Sequence, residues 1–422
     1  MFPKAVTIVS LIGLAACAGG ESADMNTMTE EEIVQLATEI HERVITIDTH
    51  DDIPFDFATA DVDPGVRGDR QVDLVKMEEG GLDVGFFIVY VGQTERTPEN
   101  YVQAQEDAMT KFAAIHRMAD TLYPDRIELA YTADDVVRIH NSGKLVAAIG
   151  IENGYVIGRD VDLLERYHAL GARYITLAHG GHNDIADSAT PRDNLGDEES
   201  EHGGISEFGA EVIAEMNRLG ILVDVSHISR DAMLDAARLS RAPVIASHSS
   251  TRAIADHPRN MDDEQLLALR DNGGVMQTVA LGSYVKVSEP AKDSAITALR
   301  EEFGIQGFGG AALRSLQPER RAAYDTRRAE IEATWPGATV SDFVDHIDHA
   351  VGLIGIDHVG ISSDFDGGGG ITGWDDASET LNVTTELVRR GYTEEDIAKL
   401  WGGNTLRIWR EAERVAAELQ SS

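Results

Sequence analysis

Eight short apolar runs separated mainly by helix-patterned stretches constrain this chain most. They are Val44–Thr49, Val84–Val91, Leu145–Ile151, Tyr174–Leu177, Ile221–Val225, Val244–Ser247, Gly274–Val279 and Val359–Ser363. All are rich in β-branched or aromatic residues, as strands covered on both faces should be. Between them, Ser206 stands where it can cap a helix that places Phe208, Val212, Ile213, Met216 and Leu219 along one stripe, and Gly220 ends it. A second stripe, Phe343, Ile347 and Val351, runs through Val340–Ile354. Parallel strands need crossover helices, so the alternation predicts an α/β fold, a (β/α)8 TIM barrel.

In such barrels the chemistry sits at the C-terminal ends of the strands. Run one delivers His50 and Asp52, run three Glu152, run four His179, run five His227, run six His248 and run eight Asp364. Four of the fourteen histidines thus take one kind of position. A single histidine there is more often a satisfied core residue. Seven ligand-type residues at six strand ends point to a site.

Imidazoles and carboxylates with no thiolate suit a borderline divalent ion such as zinc. Five good ligands exceed the three of an open catalytic site, so two ions sharing a carboxylate are expected. His50 and Asp52, two apart at a strand end, point the same way and can hold one ion. His227 and His248 can hold the other, with Glu152 reaching between them. Two such ions would share a water and lower its pKa, giving hydroxide for attack on a carbonyl or phosphoryl centre. Asp364 is then free to move a proton, and His179 to hydrogen-bond the developing oxyanion.

Composition narrows the partners. Acids outnumber bases by 73 − 36 = 37, which argues against nucleic acid, and 42% hydrophobic residues with 40 glycines fit a packed, loop-rich protein. Cys17 is the only cysteine, so no internal disulfide can form. Lys4, the apolar run Ala5–Ala16 and the box L-A-A-C at 14–17 resemble a bacterial lipoprotein leader. That resemblance implies cleavage before Cys17, acylation of its thiol, and export to the periplasmic side of a bacterial membrane. Residues 18–35 would be a tether, 36–418 the barrel, and 286–339 an insertion, either lid or scaffold, with helical patterning around Ala295–Glu302 and Pro318–Thr334. No later run is long enough for a transmembrane helix.

The chain resembles the membrane dipeptidase family, of renal dipeptidase and its bacterial relatives. The matching residues are H-x-D-x-P at His50, Asp52 and Pro54, I-E-N-G at 151–154, and L-G-A-R-Y-I-T-L-A-H at 170–179. They continue with N-R-L-G-I-L-V-D-V-S-H at 217–227, S-H-S-S at 247–250, R-N at 259–260, D-F-D-G at 364–367 and R-G-Y-T-E-E-D-I at 390–397. The resemblance implies a metal-dependent hydrolase barrel of the amidohydrolase-like type. It also implies two Zn2+ per chain, bridged by Glu152 and a water or hydroxide, and hydrolysis of dipeptides, including those with a C-terminal D-residue. It gives His50, Asp52 and Glu152 to one zinc, and Glu152, His227 and His248 to the other. His179 goes to the oxyanion, Asp364 to proton transfer, and Arg259 to the substrate carboxylate, which its guanidinium fork suits. Tyr284 matches a second carboxylate contact. Asp51 stands where the family usually has Asn, and Asn153 where it has Gly. His182 and Asn183 follow His179 in a loop that could also line the pocket. A homodimer is a further expectation. The competing readings are another amidohydrolase acting on a cyclic or acyl amide, and a non-catalytic peptide-binding lipoprotein.

Overall fold

Ile47–Asp52 (β1), Val84–Tyr90 (β2), Ile127–Leu129 (β3), Leu145–Glu152 (β4), Ala172–Thr176 (β5), Leu222–Asp224 (β6), Ile245–Ser249 (β7), Val275–Val279 (β8) and Val359–Ser362 (β9) form one sheet in the computed structural model, which describes residues 28–305, 313 and 316–422. The pairings run β1-β2-β4-β5-β6-β7-β8-β9 and are parallel throughout. The ring is brought nearly closed where Asp52 N donates to Phe365 O at 2.9 Å, just past β9. The eight expected runs are therefore the barrel. Cys17 and the leader-like segment lie outside the described residues.

Two differences from the sequence reading have physical reasons. The first strand starts at Ile47, because the amides of Arg43 and Val44 turn back onto Ile40 O to end the helix Glu30–His41. It then continues through His50 to Asp52, so the polar residues belong to the strand itself. The short β3, which pairs with β4 off the main path, has no counterpart among the eight runs.

The strand period of two sorts the barrel wall. Along β4, Val146, Ala148, Gly150 and Glu152 share a face, and along β2 so do Val84, Phe86, Ile88 and Tyr90. The apolar members of this face pack with Tyr174 and with Leu406, Ile408 and Trp409 of the C-terminal helix Asn404–Ser421, forming a floor below the strand ends. Phe87, Val89, Ala147, Ile149 and Ile151 face the other way, into the layer of helices. One of those helices, Glu207–Leu219, begins with Ser206 Oγ accepting from Gly209 N and ends at left-handed Gly220.

Between β8 and β9, the helices Pro290–Phe303 and Pro318–Thr334 build their own small core from Leu299, Ile305 and Tyr324. Among the described residues no helix is long and apolar enough to cross a membrane.

Candidate metal centre

Glu152 is the hub. It ends β4 on the inner face and is 4% exposed. Four imidazole Nε2 atoms converge on its carboxylate: His227 at 2.9 Å, His179 and His248 at 3.4 Å, and His50 at 3.6 Å. Burial alone would raise the pKa of this carboxyl, but the surrounding imidazoles outweigh it and hold it well below the usual carboxylate range.

Among the described residues, potential ligand atoms fall into three overlapping triads, each within 4.8 Å: His50–Asp52–Glu152, Glu152–His179–His227 and His50–His248–Asp364. The first is the set expected for one ion. Around the second position the geometry is more crowded than the sequence suggested, since His179 lies as near Glu152 as His248 does.

The donor set fits a cation. Among the described residues His50 Nε2 is buried without a hydrogen-bond partner, facing Asp52, Glu152 and Asp364 oxygens at 3.6, 3.6 and 3.9 Å. Burial would lower the pKa of this ring, yet Glu152 and Asp52 pull it well above the ordinary value, the sign of a pocket that demands positive charge. His227 and His248 approach Nε2 to Nε2 at 2.6 Å, both aimed inward.

The ring orientations are built from below. Tyr174 Oη donates to Thr49 O at 2.9 Å, so it accepts from His50 Nδ1–H, also at 2.9 Å. This bond leaves the His50 Nε2 lone pair pointing into the site. Tyr174 reaches that position because residue 150 is glycine: a Cβ there would run into its ring. A matching relay serves His248. Ser247 Oγ donates to Asp224 Oδ2 at 2.7 Å and accepts from His248 Nδ1–H at 2.7 Å. Asp224 is fixed in turn by Thr176 Oγ1 and the amides of Ser226 and Ser247.

Removing the phenol oxygen tests this support. In Tyr174→Phe a buried His50 N–H loses its acceptor. Metal affinity should fall by about 10–100-fold, as it does for other partners of metal-binding histidines. The cost in stability should be about 1–3 kcal/mol, which a melting curve reads beside a metal titration.

Backbone strain gathers here as well. His227, Asp364 and Asn153 take positive φ values of 68°, 60° and 85°. Such conformations persist in non-glycine residues where the surroundings impose them, and they cluster at functional sites. Asn153 steadies its turn by accepting from Tyr155 N at 3.1 Å and donating to Val91 O at 3.1 Å. A positive φ is also what the family's glycine would supply. Asp51, on the opposite side of β1 from His50 and Asp52, is buried with neither carboxyl oxygen hydrogen-bonded among the described residues. Burial, reinforced by Asp48, holds its pKa well above the usual range.

The other expected site residues surround the hub. Asp364, buried past β9, has its carboxyl pushed well above the usual range by burial, with His50 opposing and Asp52 and Glu152 adding. Arg259 is buried in the loop after β7, donating to His248 O at 3.2 Å, while its Nε has no hydrogen-bond partner among the described residues. Its guanidinium lies 5.4 Å from the Tyr284 ring centre. Asn260 ties the two together by donating to Tyr284 O at 2.8 Å. His182 and Asn183 brace the loop instead of lining the site: His182 Nδ1 accepts from Ser188 N, and Asn183 Oδ1 accepts from the amides of Ile185 and Ala186.

Residues without a sequence-based assignment complete the surroundings. Tyr174 orients the His50 ring, and Asp224 and Ser247 orient that of His248. Tyr90, at the end of β2, sets its ring 4.8 Å from that of His179. Burial, with Glu152 adding and Arg192 opposing, raises its pKa to about 12.

Comparison with known proteins is consistent with this arrangement. The family model for membrane dipeptidase (peptidase family M19) matches residues 34–422. The dipeptidase tcpJ of Claviceps purpurea is 34% identical over 351 residues, 82% of this chain and 70% of that protein. An uncharacterized dipeptidase of Schizosaccharomyces pombe is 31% identical over 412 residues, 92% of this chain and 86% of that one. Among solved structures, the probable dipeptidase PvdM of Pseudomonas aeruginosa superposes with a TM-score of 0.80 at 35% identity, covering 92% of this chain and all of that one (100%).

Proposed function

Since the chain belongs to the membrane dipeptidase family (peptidase family M19), a family of metallopeptidases, we propose that it hydrolyses the peptide bond of dipeptides with two zinc ions held about Glu152. The observation that carries the finer reading is the convergence of four imidazoles on that one buried carboxylate. His50, Asp52 and Glu152 would hold one ion, and Glu152, His227 and His248 the other. When bound, such a pair activates a water as nucleophile and polarises the scissile carbonyl.

The chain's own residues do the rest. His179 offers Nε2–H to the carbonyl oxygen as charge develops there. Asp364, starting as the carboxylate and given a raised proton affinity by burial, receives the nucleophile's proton and passes it to the leaving amine. Arg259, whose Nε has no partner among the described residues and which has Tyr284 beside it, holds the substrate's C-terminal carboxylate. Dipeptides with a C-terminal D-residue belong to the proposed range, and a lipid-anchored, exported protein is the setting that the L-A-A-C box supports.

Protein lacking residues 1–17 should contain about two zinc ions and lose activity on chelation. Elemental analysis of active protein showing one ion or none would overturn the dinuclear assignment. Arg259→Ala should narrow the preference for a dipeptide over its C-terminal amide, a charge-assisted contact being worth roughly 1.5–3 kcal/mol. Equal kcat/KM for the two in the unmutated enzyme would refute the carboxylate clamp.

A further inference from the structure

Lys111 is a buried cation that the proposed mechanism does not use. It sits on the helix Pro98–His116, 4% exposed, on the face that also buries Ala104, Ala108 and Phe112. Lysines this buried are ordinarily paired. Among the described residues Lys111 has no hydrogen bond and no carboxylate within 4 Å; its ammonium lies 5.2 Å from the Phe55 ring centre and 5.6 Å from that of Tyr90. The carboxylates of Asp52 and Glu152 act on it from across the site.

A second cation closes on the same place from another element. Arg192, in the loop after β5, lays its guanidinium against Gly180, where a Cβ would come within 2.7 Å of Nη2 and 2.8 Å of Nε. Gly180 follows His179, and Arg192 also acts on the Tyr90 phenol. Arg192 likewise has no carboxylate partner within 4 Å among the described residues. Arg70, nearby, is already engaged: its Nε meets Asp366 Oδ2 at 3.3 Å and its Nη2 donates to Asp52 O at 3.4 Å. In a chain with 37 excess acids, two buried or half-buried cations left without an acid stand out.

Their position in the ring gives them meaning. Counting β1-β2-β4-β5-β6-β7-β8-β9 around the barrel, β2 lies across from β7. Tyr90 ends β2 and Lys111 is on the helix that follows it, whereas Arg259 follows β7. A dipeptide whose C-terminal carboxylate meets Arg259 and whose peptide bond lies over Glu152 therefore directs its N-terminal residue toward Tyr90.

We propose that Lys111 and Arg192, floored by Tyr90 and covered by the 53% exposed Phe55, form a subsite for a carboxylate on the side chain of the N-terminal residue, so that the enzyme prefers dipeptides beginning with Glu or Asp. The assignment rests on the dipeptidase reading above and adds a substrate class to it. Each cation gains the counter-charge it lacks, while the aromatic rings keep water away from the pair.

The test compares kcat/KM for L-Glu-L-Ala with that for L-Gln-L-Ala on zinc-loaded enzyme. The acid should be favoured by about tenfold or more, the scale of one or two charge-assisted hydrogen bonds. Lys111→Met and, separately, Arg192→Gln should each pull that ratio toward one. The loop variant keeps the test open if the buried one does not fold. L-Ala-L-Glu and L-Ala-L-Gln, which carry the charge on the second residue, should show no such preference. Hydrolysis of L-Glu-L-Ala and L-Gln-L-Ala at equal efficiency, a ratio that survives both substitutions, or a preference confined to the second residue overturns the subsite and leaves the dipeptidase reading intact. Failure to cleave any dipeptide removes both.

Discussion

Replacing Glu152 with glutamine should reduce kcat/KM for dipeptides by about 10³-fold or more, the loss expected when preorganised charge is taken from a metal-assisted centre. The amide matches the carboxylate in volume, so the barrel should still fold. What disappears is the negative charge on which four imidazoles converge within 3.6 Å. An amide oxygen is a poor bridging ligand, and its NH2 would face Nε2 lone pairs already held inward by Tyr174 and Ser247. Metal content should fall below two ions per chain while the circular-dichroism spectrum keeps its native form. A variant that retains its metal and near-normal turnover would refute the role proposed for this carboxylate.

Asp364→Asn should act on rate with little effect on metal. The residue has a φ of 60°, a conformation Asn tolerates far better than most side chains. Asn is therefore the substitution that removes the ionisable proton without adding backbone strain. With His50, Asp52 and Glu152 untouched, the proposed pair of ions should remain, and kcat should drop by about 10²–10⁴-fold, the usual contribution of a positioned acid or base. The fall should appear in kcat more than in KM, because the group is assigned to proton movement and not to gripping the substrate. Near-normal turnover in the metal-replete variant would move the role elsewhere.

The sequence showed the barrel because its parallel strands are buried on both faces and so appear as uninterrupted apolar runs. It showed the residues around the hub because strand ends are where a barrel exposes polar groups inward. What it hid depended on register. Tyr174 looks like an ordinary core aromatic until β4 and β5 are aligned and Gly150 is seen beneath its ring. Asp224 and Ser247 belong to different strands and meet only across the β6–β7 pairing. The three-residue β3 is too short to carry a pattern. Lys111 was readable in principle: Ala104, Ala108, Lys111, Phe112 and Ile115 fall at i, i+4, i+7, i+8 and i+11, which puts the lysine on an apolar stripe. In a helix otherwise full of polar residues, that single misplacement is easily taken for surface.

The near-closure of the ring beside β9 has a consequence for the order of assembly. Asp48 Oδ1, on β1, accepts from Ser363 N at 3.0 Å, and Asp52 N donates to Phe365 O at 2.9 Å. A chain emerging from the ribosome N-terminus first presents His50 and Asp52 long before the segment that braces their strand. Until that segment arrives, the Asp48 carboxyl has lost a donor and the first strand has an open edge. The residues from His50 to His248 that converge on Glu152 can be synthesised without yet forming that cluster, since such non-local contacts are the last that a growing chain completes. On the proposed reading, tight capture of the metal would then wait for the last strand, and a prematurely terminated chain should bind it more weakly than the finished protein.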